Sequence, residues 1–262
     1  MTTVQDDISL WIRRYHPAPD SAIRLLCLPH AGGSASFYFP VSRSLSPAVE
    51  VLAVQYPGRQ DRRSEPNIDD LPTLARGILD ALDGWLDKPL ALFGHSMGAT
   101  VGFEVARMLE QERGVVPARL FASGRRAPSM PRDERLHLES DEGFIRELRR
   151  LNGTAGNILG DEEMLRMILP ATRSDYRAAE TYRYVPGPPL SCPVTAFVGD
   201  DDPKVTIAEA RAWQEHTTAE FDFHVFDGGH FYLTTHQTQL LKIMADQMRS
   251  VSYPGDPART GP

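Results

Sequence analysis

The chain has 262 residues, of which 41% are hydrophobic and 24% charged, and its formal net charge is −7. Its length predicts one large or two small domains, and its acidic balance argues against nucleic acid as a partner. No apolar run approaches the roughly 18 residues of a membrane span, and the acidic stretch from Met1 to Asp7 lacks the layout of a secretory signal. We therefore expect a cytoplasmic monomer that binds neither membrane nor nucleic acid, with Cys27 and Cys192 as buried free thiols.

Short apolar runs alternate with amphipathic segments along most of the chain. The predicted strands cover residues 23–28, 49–55, 90–93, 119–123, 194–198 and 221–226. The predicted helices cover 36–44, 70–86, 99–112, 207–216 and 235–251. This alternation predicts an α/β fold with a mostly parallel central sheet flanked by helices. Ligands of such sheets bind outside the carboxyl ends of the strands.

The segment 127–190 breaks the alternation because it shows amphipathic stretches without a convincing strand. Its apolar positions are Phe144, Ile145, Leu148 and Leu151, then Met164, Leu165, Ile168 and Leu169. We expect Pro170 to interrupt the second stretch and residues 152–157 to form a flexible joint. The division predicted is a core of 1–126 and 191–251, a helical lid insertion of 127–190 and a disordered tail of 252–262. An ordinary helical subdomain that never moves is the alternative to a lid.

A G-x-S-x-G motif, Gly94 to Gly98, joins the predicted strand 90–93 to the predicted helix 99–112. A serine on such a strand-to-helix turn exposes its Oγ at the carboxyl edge of a sheet, beside a helix N-terminus. The five-residue pattern also occurs by chance in plain connecting turns. Its context favours Ser96 as a nucleophile.

A serine nucleophile needs a base and an acid that orients the base, expected here in the order Ser, Asp, His. His230 follows the strand 221–226 and a Gly-Gly turn, whereas the other histidines have less suitable placements. Three aspartates, Asp200 to Asp202, follow the strand 194–198. The spacing Gly-x-x-Asp from Gly199 favours Asp202, with Asp200 as the second choice. An acidic cluster can also hold a metal, but no second cluster supports one, so no metal is predicted.

The oxyanion of an acyl transfer needs two backbone N–H donors. One is expected from Met97, directly after the nucleophile, and the other from the glycine-containing loop 28–33. We assign Ala31 as this second donor, although a simple Gly-Gly turn would also explain the loop.

Basic residues cluster at two places in this acidic chain, at Arg59, Arg62 and Arg63 and at Arg125 and Arg126. A solvated surface explains most such clusters, and a docking site for an acidic partner is the alternative.

Taken together, the motifs resemble those of the type II thioesterases. The matching stretches lie at 11–15, 29–34, 55–59, 94–98, 123–125, 199–203 and 228–230, so that the resemblance runs from about residue 11 to residue 248. Members of this family are stand-alone α/β-hydrolases associated with polyketide synthases and nonribosomal peptide synthetases. The resemblance implies an α/β-hydrolase fold with a helical lid.

The resemblance also implies a substrate, namely an acyl group on the phosphopantetheine thiol of a carrier protein. Ser96 would attack the thioester, His230 would accept its proton, and Asp202 would hold the imidazole, with no cofactor. Carrier proteins are typically acidic, which makes the five arginines candidate contacts. The alternatives are release of medium-chain fatty acids, general carboxylesterase activity, and a non-catalytic binding module. The presence of all three of Ser96, Asp202 and His230 argues against the non-catalytic module.

Overall fold

The protein is described by a computed structural model that covers residues 10–152 and 162–249. Seven strands of these residues form one sheet: β1 (Ile12–Arg13), β2 (Arg24–Leu28), β3 (Glu50–Val54), β4 (Leu90–His95), β5 (Arg119–Ser123), β6 (Val194–Gly199) and β7 (Phe221–Phe226). Their order across the sheet is β1-β3-β2-β4-β5-β6-β7. Only β1 and β3 pair antiparallel among these neighbours, and the other pairs are parallel. The predicted α/β fold with a mostly parallel sheet is confirmed.

Helices cover both faces of the sheet. They are α1 (Phe39–Leu45), α2 (Leu71–Ala81), α3 (Met97–Met108), α4 (Asp141–Asn152), α5 (Glu162–Thr181), α6 (Ile207–Arg211), α7 (Tyr232–Thr235) and α8 (Gln237–Arg249). Helices α2 and α3 contribute to the apolar cluster on one face, whereas α1 and α8 contribute to the cluster on the other face. A sheet buried on both faces reads as continuous apolar runs, which is why the parallel strands could be found from the sequence.

The strand β2 illustrates how this double burial works. All five of its residues are buried, and their side chains alternate between the two faces because the side-chain period of a strand is two residues. Leu26 and Leu28 pack into the cluster with α2 and α3, whereas Leu25 and Cys27 pack into the cluster with α1 and α8. Strand β2, which lies between β3 and β4, is therefore fixed in register inside the sheet.

Several predicted boundaries differ from the structure. Strand β1 was not predicted, because two residues are too few to show an alternating pattern. The helix expected over 70–86 ends at Ala81 and is followed by a separate 3-10 turn at Asp83–Trp85. The helix expected over 235–251 is preceded by the short α7, and α8 itself begins at Gln237.

The segment between β5 and β6 contains α4 and α5, as its amphipathic stretches predicted. The expectation that Pro170 interrupts the second stretch is wrong, because α5 runs from Glu162 to Thr181 through this proline. A proline inside a helix leaves one carbonyl without its donor and costs about 3 kcal/mol. Packing of Leu169 with Phe144 and Leu148 of α4 offsets this cost. The apolar residues of the two helices thus form a small core of their own.

Some predictions fall on residues 1–9, 153–161 and 250–262, which lie outside the described residues. They concern the start of the chain, most of the joint at 152–157, and the tail 252–262. None of the helices in the described ranges is long and apolar enough to span a membrane.

Candidate active site

Ser96 lies at a sharp turn between the end of β4 and the start of α3. Its backbone has φ 55° and ψ −121°, a conformation that costs a non-glycine residue about 1–3 kcal/mol. Two close approaches explain the flanking glycines. A Cβ at Gly94 would lie 2.0 Å from the Gly98 carbonyl oxygen, and one at Gly98 would lie 2.1 Å from the Leu28 carbonyl oxygen. The turn is thus wedged between α3 and the end of β2, and it leaves the Ser96 side chain partly exposed.

The three side chains expected from the strand ends lie in contact. The Ser96 Oγ is 3.0 Å from His230 Nε2, and His230 Nδ1 is 2.8 Å from Asp202 Oδ2. Ser96 follows β4, while Asp202 and His230 lie on the turns after β6 and β7, at the same edge of the parallel sheet. The imidazole can therefore take a proton from the hydroxyl on one side while its other nitrogen donates to a carboxylate.

The structure separates the two aspartates between which the sequence left a choice. Asp202 is buried, and its Oδ1 also accepts the Lys204 N–H at 2.8 Å. Asp200 is exposed, and its Oδ1 accepts the Gly228 N–H at 2.9 Å. Asp200 thus ties together the two turns that carry Asp202 and His230, but it does not hydrogen-bond to the imidazole itself.

The predicted oxyanion donors lie on two neighbouring segments of this edge. Met97 is the first residue of α3, so its N–H has no acceptor within the helix. Ala31 lies in the loop after β2, the strand that pairs with β4. The positive end of the α3 dipole also faces this region and favours negative charge there.

Two further histidines lie near the base: His95, which the sequence places next to the nucleophile, lies against His230, and the ring of His30 lies 6.1 Å from that of His95. The rings of His95 and His230 are 5.0 Å apart, and His95 Nδ1 is 3.0 Å from Ser123 Oγ. Burial and the nearby His230 lower the pKa of His95 well below its usual value, and they lower that of His30 to about 3. Both rings are neutral at neutral pH, so neither repels an imidazolium that forms at His230.

The structure corrects the interpretation of the first arginine cluster. Arg59 and Arg62 are buried rather than solvated. Arg59 pairs with Asp175 of α5, and Arg62 pairs with Glu65, with Nη2 2.5 Å from Oε2. Because both guanidinium groups are buried and ion-paired inside the protein, they are poorly placed to contact a partner. Arg63 is exposed and remains a predicted contact.

The second cluster is also largely internal. Arg126 is buried, and its Nη2 donates to Glu134 Oε2 at 2.6 Å. Arg125 is partly buried, and its Nε donates to Thr100 Oγ1 at 2.9 Å. Burial and the neighbouring Arg126 lower the pKa of Arg125 to about 10. Burial and pairing argue against contact of Arg126 with a carrier protein, Arg125 also has its hydrogen bonds inside the protein, and a docking role for the two stays a prediction. No group of three or more His, Cys, Asp or Glu in the described ranges could hold a metal ion.

Comparisons with known proteins agree with this geometry. A family model for the thioesterase domain matches residues 23–248. The chain is 51% identical over 243 residues to thioesterase PikA5 of Streptomyces venezuelae, covering 92% of this chain and 86% of that protein. It is 54% identical over 236 residues to a probable cadicidin biosynthesis thioesterase of Streptomyces griseus, covering 90% of this chain but only 65% of that protein. The solved type II thioesterase BorB from the borrelidin cluster superposes with a TM-score of 0.88 at 54% identity, covering 92% of this chain and 98% of BorB.

Proposed function

The chain belongs to the thioesterase family, and from that premise we propose that it is an editing type II thioesterase of polyketide or nonribosomal peptide biosynthesis. In this role it removes acyl groups from the phosphopantetheine thiol of carrier proteins. The observation that carries the proposal is the contact of Ser96 Oγ with His230 Nε2, backed by the buried Asp202. Similarity to PikA5 and to BorB supports the biosynthetic setting.

We propose that Ser96, His230 and Asp202 are the catalytic residues. Ser96 Oγ attacks the thioester carbonyl carbon while His230 accepts the hydroxyl proton, and Asp202 holds the imidazole in the required tautomer. The N–H groups of Ala31 and Met97 stabilise the oxygen that becomes negative in the tetrahedral intermediate. The protonated His230 then gives its proton to the leaving sulfur, which departs as the free thiol, and a water deprotonated by His230 hydrolyses the acyl-serine.

Helix α5, part of the segment 127–190, covers one side of this site. Helix α5 lies directly above the loop that carries Ala31, because a Cβ at Gly32 would be 2.8 Å from Thr172 Oγ1. This placement supports the idea that α4 and α5 border the entrance for the acyl group. A lid that opens and closes remains a prediction, as do the cytoplasmic location, the monomeric state and the docking of carriers at Arg63.

Labelling with a serine-directed fluorophosphonate tests the proposed nucleophile. The wild type is expected to be labelled at Ser96, with loss of labelling in Ser96→Ala and strongly slowed labelling in His230→Ala. Equal labelling of the three proteins would contradict the assignment.

A panel of acyl groups on one carrier protein tests the substrate class. Hydrolysis of acetyl and propionyl units is expected to exceed that of octanoyl and longer chains if the enzyme edits wrongly primed carriers. A preference for octanoyl would favour the release of medium-chain acids, and faster cleavage of oxygen esters would favour a general carboxylesterase.

A further inference from the structure

A buried ion pair joins the helix above the site to the loop after β3. Arg59 Nη1 donates to Asp175 Oδ2 at 2.6 Å, and Nη2 donates to Asp175 Oδ1 at 2.8 Å. Arg59 is 9% exposed and Asp175, on α5, is 1% exposed. Two parallel bonds to one carboxylate fix the orientation as well as the distance of the two groups. The sequence motif at 55–59, which ends at Arg59, takes no part in the acyl transfer by Ser96 and His230.

The same pair holds the loop that carries Ala31. Asp175 Oδ2 accepts the Gly32 N–H at 2.8 Å, and Arg59 Nη1 donates to the Gly33 carbonyl oxygen at 3.0 Å. The Gly32 N–H belongs to the peptide group that directly follows Ala31, so this bond limits rotation of the Ala31 backbone. Gly32 has φ +75°, a left-handed conformation that this loop must keep and that glycine adopts at low cost.

The guanidinium of Arg59 keeps its charge in this buried position. Burial alone lowers the pKa of Arg59, but the neighbouring Asp175 carboxylate outweighs burial and the pKa is raised. The guanidinium also lies 5.2 Å from the centre of the Tyr56 ring. Tyr56 in turn donates its hydroxyl to the Pro29 carbonyl oxygen at 3.1 Å. The loop is thus held at Pro29 as well as at its two glycines.

We infer that Asp175 and Arg59 are positioning residues that hold the Ala31 N–H at the oxyanion and couple its placement to the seating of α5. The inference rests on the proposed function, since it assigns Ala31 as an oxyanion donor. Neither side chain touches the Ser96–His230–Asp202 contacts, so both act through the loop. Disturbing the pair should weaken stabilisation of the transition state and leave ground-state binding nearly unchanged.

Two substitutions of Asp175 are compared with a matched control. Asp175→Asn keeps the shape and an oxygen for the Gly32 N–H but removes the charge, whereas Asp175→Ala removes both. Glu50→Gln breaks another buried arginine pair, in which Arg24 Nε lies 3.0 Å from Glu50 Oε2. Glu50 is at the opposite end of β3 from the site, and it is likewise 1% exposed. Arg24 keeps a second carboxylate partner, Asp87, so Glu50→Gln controls for the general cost of removing a buried carboxylate from an arginine.

We expect kcat for an acyl-pantetheine thioester to fall about tenfold in Asp175→Asn and on the order of a hundredfold in Asp175→Ala. KM should stay within about twofold in both variants, because both side chains of the pair are buried and bonded to the protein itself. Binding of butylboronic acid should weaken in parallel with kcat, since Ser96 Oγ adds to boron and gives a tetrahedral anion that faces the same donors. Glu50→Gln should lower the thermal unfolding midpoint with kcat unchanged.

The outcomes separate the inference from the function on which it rests. Turnover that depends on Ser96 but is unchanged in folded Asp175→Ala overturns the inference alone, as does an equal loss of kcat in Glu50→Gln. Turnover that persists in Ser96→Ala overturns the proposed function instead. If Asp175→Ala does not fold, the double variant Arg59→Met/Asp175→Leu replaces the pair with apolar side chains. A folded double variant with low kcat supports the inference, and one with wild-type kcat overturns it.

Discussion

Replacing Asp202 with asparagine is expected to remove most of the activity while leaving the fold in place. Asp202 accepts the His230 Nδ1 proton, with distances of 2.8 and 3.0 Å to its two oxygens, and it also accepts the Lys204 N–H. An asparagine can keep one acceptor oxygen but turns an N–H donor towards a ring that must itself donate. In a Ser-His-Asp protease the same change costs about 10⁴ in kcat, which corresponds to about 5.5 kcal/mol of transition-state stabilisation.

The matched control for this prediction is Asp200→Asn, at the residue that the sequence left as the second choice. Asp200 is exposed and accepts only the Gly228 N–H among the hydrogen bonds of the described residues, and an asparagine oxygen can take over that bond. We expect kcat within a few-fold of wild type, measured in single-turnover hydrolysis of an acyl-pantetheine thioester at pH 7. A larger loss in Asp200→Asn than in Asp202→Asn would refute the assignment of the acid.

Three further substitutions or probes test the packing around the site. Gly98→Ala should lose activity and lower the unfolding midpoint, since its Cβ would lie 2.1 Å from a carbonyl oxygen, whereas Gly84→Ala has nothing within 4 Å and should be neutral. Glu134→Gln should destabilise the protein at pH 7. Burial alone would raise the pKa of Glu134, but the charges of its partners Lys204 and Arg126 outweigh burial and lower this pKa from 4.5 to about 2. The stabilisation is therefore full above pH 4.5 and lost as pH falls through 2, so an equal difference in melting temperature at pH 7 and pH 2 would refute it. Cys27 and Cys192 should not react with a disulfide reagent until the protein unfolds, because burial raises both thiol pKa values; rapid reaction of the folded protein would contradict this.

The sheet edge could be predicted from the sequence because its elements carry strong local signals. Buried parallel strands leave apolar runs, and the residues directly after them lie at one edge whatever the details of packing. Ser96 and Asp202 follow such runs, His230 follows the alternating and less buried strand β7, and the structure has the three side chains in contact. The choice between two aspartates needed coordinates, since it depends on which carboxylate turns inward.

The arginines show what local signals cannot give. Arg59 and Asp175 are 116 positions apart, and no pattern near either residue indicates that they will pair. A charged side chain reads as solvated unless its partner is known, because an unpaired charge is too costly to bury. The expectation for Pro170 fails for a related reason. Leu169 packs against Phe144 and Leu148 of α4, and these stabilising contacts come from outside the helix that the proline weakens.

The contacts of Tyr232 likewise join residues that are far apart in the sequence. Its hydroxyl is 2.6 Å from Ser123 Oγ, which in turn contacts His95. This chain of side chains supports the ring that lies beside His230, yet its members come from the ends of three separate elements. Only the assembled sheet edge brings them together.

The most direct test of the central claim is the intact mass of a carrier protein loaded with a propionyl group, before and after incubation with the enzyme. We expect the wild type to remove the propionyl mass and leave the phosphopantetheine arm in place, whereas Ser96→Ala should leave the loaded carrier unchanged. Loss of the acyl group at equal rates with wild type and Ser96→Ala, or its full retention with both, would contradict a Ser96-dependent thioesterase.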